Sequence, residues 1–263
     1  MTTEQRRSKI IELLEGRGSV QVEALSSQFA VSLVTIRKDL SELEGRGLLH
    51  RTHGGATWAH RSLFNPSFRE KVYLQQAEKQ AIAGVALSLI EEGDSLILDA
   101  GSTTQTLARA MKKRFRNLFI LTNSMPIASE LSETGWEILL LGGQVRHHSM
   151  ALIGPATVRA LETYHVDKAF MCATGVSVQH GYTTPNDLEA QTKRAMIAAA
   201  ETVIAVVDSS KLGRTTLSSF AGVAEVGQLI TDWNADSELL EGFHQQKLAV
   251  TVAGEHASSS ARD

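Results

Sequence analysis

Ser32-Leu33-Val34-Thr35-Ile36-Arg37-Lys38-Asp39-Leu40 is the stretch that decides how the N-terminal part of this chain folds. Ser32 is a natural helix N-cap, since its side-chain oxygen can accept an orphan first-turn N–H. Leu33, Ile36, Leu40 and Leu43 recur at helical spacing and predict one buried stripe, and Gly45 and Gly47 stop the helix. Val34, Thr35, Arg37 and Lys38 fall on or near the outer face. Ser32 and Thr35 are short hydroxyls suited to a phosphate beside the helix start, and the Arg37 fork suits bidentate reading of guanine.

Working outward, Ile10, Leu13 and Leu14 predict a first helix ending before Gly16 and Gly18. Val22, Leu25 and Phe29 predict a second, joined to the third by Ala30-Val31. Residues 48–56 alternate weakly and then turn, like a small wing that would carry Arg51 and His53 to a DNA backbone or minor groove. Three helices and a hairpin suit a helix-turn-helix whose second motif helix enters the major groove. They suit equally a protein-interaction module with a solvated charged face. Charge does not decide: residues 1–56 hold eight Lys and Arg against seven Asp and Glu, a balance of +1 within a total of −3.

The longer pattern Val31-Ser32-x-x-Thr35-Ile36-Arg37-Lys38-Asp39-Leu40-x-x-Leu43-Glu44-x-x-Gly47-Leu48-Leu49-x-Arg51-x-His53-Gly54-Gly55-Ala56 resembles the signature of DeoR-type transcriptional regulators. The resemblance implies an N-terminal all-α winged helix-turn-helix that represses sugar-catabolic operons by binding double-stranded operator DNA. It also implies that Asp39 is structural and pairs with a basic neighbour, because a carboxylate aimed at phosphates would oppose binding.

The chain has 263 residues, 43% apolar and 21% charged, which is ordinary globular composition and excludes disordered, collagen-like and coiled-coil classes. No apolar run reaches membrane-span length, and Met1-Thr2-Thr3-Glu4 leads into charge rather than a signal core. The expectation is a cytoplasmic protein without membrane partners. The single cysteine, Cys172, excludes an internal disulfide and a CxxC metal site, and is expected to be a buried small hydrophobe. His147-His148 is expected at a rim or in solvent, and no metal or cofactor is expected. Lys112–Arg116 is a basic run read as complementing a helix C-terminus.

The expected domains are 1–57 for the DNA reader, 58–74 for a linker, 75–256 for a second domain and 257–263 for a frayed tail. One helix is predicted over about 67–91. Beyond it, apolar runs at 95–98, 118–122, 137–141, 168–173, 203–207, 228–231 and 248–252 alternate with helical stretches, which predicts an α/β domain with a mainly parallel sheet. Ligands bind such sheets outside the carboxyl ends of the strands.

Asp99-Ala100-Gly101-Ser102-Thr103-Thr104 ends one strand and opens a helix, the geometry of an anion site, though Ser and Thr there also serve as plain caps. Asn123 ends the next strand, and Gly142, Gly143 and Arg146 follow the third, with Arg146 able to clamp a phosphate. Asp187, Glu189 and Lys193 surround a later helix start, and Asp208-Ser209-Ser210-Lys211 ends another strand. These motifs are similar to the DeoR-family sensor domain, itself similar to ribose-phosphate isomerase and CoA-transferase folds. The resemblance spans about residues 3–252, with Gly175, Gly181, Thr183 and Asn186 fitting loosely, and Asp187 stands where a longer acid is expected. It implies a phosphorylated sugar as inducer and a homodimer or homotetramer. The alternative is an isomerase-like enzyme with an attached DNA-binding domain, in which Asp187, Glu189, Asp208 and Lys211 supply proton transfer.

Overall fold

Thr2 and Gln5 close a reciprocal capping box at the start of helix α1 (Thr3–Arg17), which ends at Gly18 with φ 70°. The computed structural model of the protein describes residues 1–45, 48–58 and 65–255, and the chain divides into two units between Leu74 and Gln75. In the first, strand β1 (Ser19–Gln21), helix α2 (Val22–Phe29) and helix α3 (Leu33–Gly45) follow, then strands β2 (Leu49–Arg51) and β3 (Gly55–Trp58). Ser32 caps α3 as expected, its Oγ accepting the Thr35 N–H at 3.2 Å. Ile36, Leu40 and Leu43 are buried with Ile10, Ile11, Leu14 and Leu25.

Leu33 departs from its expected place in that stripe and is 39% exposed. It sits in the first turn, beyond the end of the packed face, and Val31 lies against the core instead. The wing gains a strand that alternation did not reveal. β1 pairs antiparallel with β3, giving the order β1-β3-β2 in an otherwise helical unit. Three residues are too few to show a period of two.

The expected linker and the single helix over 67–91 need correction. The chain forms helix α4 (Phe68–Lys71), capped reciprocally by Ser67 and Glu70, and then a separate α5 (Gln76–Leu87). Gln75 breaks the run with φ 47°. Ser8 Oγ donates to the Glu70 carbonyl at 3.1 Å, and Leu74 joins the core of the first unit. Residues 65–74 are therefore part of that unit. Residues 59–64 of the expected linker, Gly47 and the tail at 257–263 lie outside the described residues.

After α5 come β4 (Ser95–Leu98), α6 (Ser102–Met111), β5 (Phe119–Thr122), α7 (Met125–Leu131) and β6 (Glu137–Leu140). A hairpin, β7 (Gln144–Arg146) and β8 (Ala151–Ile153), leads to α8 (Pro155–Leu161) and β9 (Val166–Met171). Then follow β10 (Gly175–Ser177), β11 (Gly181–Thr184), α9 (Asp187–Ala198), β12 (Ala200–Val206), β13 (Ser218–Ala221), β14 (Gln228–Asp232), α10 (Ser237–Gln245) and β15 (Ala249–Ala253). The seven expected strands form one sheet in the order β15-β14-β12-β9-β4-β5-β6, every pair parallel. β10, β11 and β13 make a small antiparallel sheet beside it.

Alternation along the central strands feeds two cores. Leu96, Leu98, Phe170, Ile204 and Val206 pack towards α5, α6 and α7, while Ile97, Ala169, Met171 and Ala205 pack towards α9 and α10. Both faces are covered, which explains the near-continuous apolar runs. The winding reverses beside β4: β5 and β6 extend one way, and β9, β12, β14 and β15 the other. Such a reversal opens a crevice at the carboxyl ends of the two strands concerned. No helix among the described residues is long and apolar enough to cross a membrane.

Candidate functional site

Asp99 follows β4 and Cys172 follows β9, so both stand at the point of reversal. Asp99 is buried, and its Oδ2 accepts the Cys172 N–H at 2.9 Å. The same oxygen pairs with Lys193 Nζ, which also donates to the Cys172 carbonyl at 3.0 Å. Lys193 reaches the edge from α9. Glu189 precedes it by four residues on the same helix face, and both side chains are buried. Arg146, from β7, donates through Nε to Glu189 Oε1 at 3.0 Å, and Thr184 Oγ1 donates to Oε2 at 2.9 Å. Lys193 Nζ also lies 5.2 Å from the centre of the Phe220 ring.

These contacts set the charges. Burial works against the Lys193 ammonium, but Asp99 holds its pKa above the ordinary lysine value. Burial likewise opposes the Glu189 carboxylate, and the neighbouring Ser149 hydroxyl together with Lys193, Arg146 and Thr184 outweighs it, leaving the carboxyl below its ordinary range.

The start of α6 faces the same edge. Gly101 is its N-cap and has no side chain, so no side-chain oxygen caps the first turn. The first-turn N–H groups and hydroxyls of Ser102 and Thr103 lie at this uncapped helix start, the kind of position at which backbone N–H groups can receive an anion. Thr104 is committed otherwise, donating to the Asp99 carbonyl at 2.6 Å. A Cβ on Gly101 would overlap Cys172 Sγ and lie 2.9 Å from Cys172 Cβ, so close approach of β9 demands glycine there. Asn123 locks the neighbouring strand end: its Oδ1 accepts the Ala100 N–H at 2.9 Å and its Nδ2 donates to the Leu152 carbonyl at 3.2 Å. Gly142 accepts from Thr157 Oγ1 at 2.7 Å, and Gly143 turns the chain with φ 149°.

The structure thus brings two ion pairs, Asp99–Lys193 and Arg146–Glu189, together through one face of α9, flanked by Gly101–Thr104 and Asn123. Two other expected residues are engaged elsewhere. Asp187 is exposed and accepts from Gln191 Nε2 at 2.7 Å. Lys211 lies 3.6 Å from Asp208 at the end of β12 and donates to Ser210 Oγ at 2.8 Å. Burial opposes the Asp208 carboxylate, yet Lys211 and Lys79 hold its pKa below the ordinary value. Two residues at the edge carry no site role in the sequence: Thr184, and Cys172, which is half-buried rather than buried and holds both Asp99 and Lys193 through its backbone. The signal for Cys172 was its position at the end of the apolar run that became β9. A groove of about 660 Å³ also opens between α8 and α9, lined by Val158, Arg159, Tyr164, His165, Gln191 and Arg194, and it shares no residue with these two ion pairs.

The first unit presents a second candidate surface. Val34, Arg37, Lys38 and Ser41 are exposed on one face of α3. Asp39 points the other way, as implied for it, and is buried between Arg6 Nε at 2.6 Å and Arg7 Nε at 2.9 Å. Ser32 is exposed, with its Oγ 2.9 Å from Thr35 Oγ1. Arg51 fastens the wing to α3, donating from Nη1 to Ser41 Oγ at 2.9 Å and from its N–H to Glu44 Oε1 at 2.8 Å. His53 is exposed at the turn between β2 and β3.

Two family models match the chain: a DeoR-like helix-turn-helix domain over residues 6–62 and a DeoR C-terminal sensor domain over residues 74–233. A protein of Escherichia coli O157:H7 described as a putative aga operon transcriptional repressor is 36% identical over 256 residues, covering 96% of this chain and 95% of its own. The transcriptional regulator GlpR of Haloferax volcanii is 37% identical, covering 96% of this chain and 98% of its own. The transcriptional repressor GlcR of Bacillus subtilis is 37% identical, covering 88% of this chain and 89% of its own.

Proposed function

The chain belongs to the DeoR family of transcriptional regulators, and on that premise we propose that it represses a carbohydrate-catabolic operon and releases its operator when a phosphorylated sugar binds at the sheet edge. The observation that carries this reading is the uncapped start of α6 beside the buried Asp99–Lys193 pair. The phosphate sits on the first-turn N–H groups and hydroxyls of Ser102 and Thr103, with Lys193 supplying positive charge. Asp99, Asn123 and Glu189 face the sugar hydroxyls. Arg146 closes from β7.

In the first unit Arg37 reads a guanine edge, while Ser32, Thr35 and Lys38 bind phosphates. Arg51 and His53 bring the wing to the DNA backbone. A homodimer or homotetramer presents two such helices about one DNA turn apart. The sugar phosphate must favour the state that does not fit the operator, because a ligand with equal affinity for both states shifts nothing.

The edge is a receptor rather than a catalyst on this reading, since it belongs to a chain joined to a helix-turn-helix unit and its relatives are described as transcriptional regulators and repressors. Turnover of an aldose or ketose phosphate by the purified protein, lost on Lys211→Ala, would contradict it. The direct test of the site is a thermal-shift panel of sugar phosphates beside their parent sugars. A ligand at 100 times its Kd stabilises by about 2.7 kcal/mol. A shift with one ester and none with its parent sugar is the expected result, and a parent sugar that shifts the protein equally would remove the phosphate from the account.

A further inference from the structure

Leu33 and Val34 are adjacent apolar side chains left in solvent at the start of α3, 39% and 72% exposed. The core does not need them, since Ile36, Leu40 and Leu43 fill the inner stripe. Val34 precedes Arg37 by three residues and Leu33 precedes it by four, so the apolar pair lies one helical turn before the guanidinium. Lys38 and the Ser32 hydroxyl, both exposed, border the same patch.

An apolar pair set among cations and hydroxyls fits a surface that is anionic at its margins and carries an apolar group on its floor. The major groove is such a surface. Its base edges bear one apolar substituent, the thymine C5-methyl, while cytosine offers a bare ring edge and an amino donor instead. We propose that Leu33 and Val34 select thymine by burying its C5-methyl, beside the guanine read by Arg37. This rests on the DNA-reading role of α3. Three helical residues climb about 4.5 Å and stacked base pairs about 3.4 Å, so the selected thymine falls one or two base pairs from the guanine.

The test uses the full chain. Duplexes enriched by the protein from a randomised pool are remade with uracil in place of thymine, one position at a time. Uracil keeps the Watson–Crick face and lacks only the methyl. Binding is followed by fluorescence anisotropy at fixed salt for the parent, Val34→Ser and Leu33→Ala. Uracil should weaken the parent about three- to fivefold at one or two positions, the scale of one buried CH₂. Val34→Ser or Leu33→Ala should bind thymine and uracil alike at the position its side chain covers. The uracil arm uses unaltered protein and is independent of any folding defect in the variants. Parent binding that is indifferent to uracil at every position overturns the proposal, and so does a thymine preference that survives in both variants. Enrichment of no sequence at all would instead remove the DNA-reading role beneath it.

Discussion

Arg6 Nε lies 2.6 Å from Asp39 Oδ2, inside the first unit, and this pair sets which way α3 faces. Arg7 takes the other carboxylate oxygen at 2.9 Å, so α1 grips α3 from its inner side. With Asp39 turned in, Val34, Arg37, Lys38 and Ser41 turn out. Removing one partner of a buried ion pair leaves uncompensated charge, at a cost of about 3–5 kcal/mol. Asp39→Asn should therefore destabilise the N-terminal unit by about 3 kcal/mol, read as an earlier transition in denaturant. A variant that unfolds with the parent would show that the two arginines do not depend on this carboxylate.

Arg37 and Lys38 should separate selectivity from affinity. Arg37→Ala should lose about 1–3 kcal/mol of preference for operator over scrambled duplex. Lys38→Ala should weaken both duplexes alike and reduce the salt dependence of binding. Anisotropy titrations at two salt concentrations measure both quantities. An unchanged operator-to-scrambled ratio in Arg37→Ala would take this side chain out of base reading.

Gly101 should not accept a side chain. A methyl there meets Cys172 Sγ and Cβ, which sit on the neighbouring strand end. Overpacking of this kind costs about 1–3 kcal/mol. Gly101→Ala should lower the melting temperature of the sensor unit, and adding Cys172→Ala should recover part of the loss by removing the sulfur. Full stability in Gly101→Ala alone would show that β4 and β9 part more easily than their packing implies.

Acid should unlock the Arg146–Glu189 contact. The folded-state pKa of Glu189 lies below its ordinary 4.5. Its stabilisation is therefore complete above that ordinary value and disappears as pH falls through the folded one. Stability of the parent should carry this component above the ordinary 4.5 and lose it as pH falls below that value, and Glu189→Gln should lack it. Superimposable stability-against-pH curves for the two proteins would mean that Glu189 is not paired in solution.

Local patterns made much of this molecule legible and long-range pairing did not. The seven parallel strands could be placed because each apolar run is bounded by polar or glycine-containing segments. Their order could not, because nothing local announces that β4 pairs with β9. The strands of three or four residues, β1, β10, β11 and β13, were too short for periodicity. The break between α4 and α5 was hidden because Gln75 adopts a left-handed conformation without being glycine or asparagine. At the sheet edge Asp99, Glu189, Lys193 and Arg146 stood out as charged residues at element ends. Cys172 did not, because it acts through its backbone. Leu33 was misplaced because helical spacing cannot tell where the packed face of a helix ends.

The most direct measurement is operator affinity of the full chain, by anisotropy, against sugar phosphates and their parent sugars in turn. One phosphate ester should weaken operator binding while its parent sugar does nothing, and Lys193→Gln should keep operator binding but lose the response. Sequence-specific operator binding that no phosphate ester alters, or a response that Lys193→Gln leaves intact, would contradict control from the Asp99–Lys193 edge.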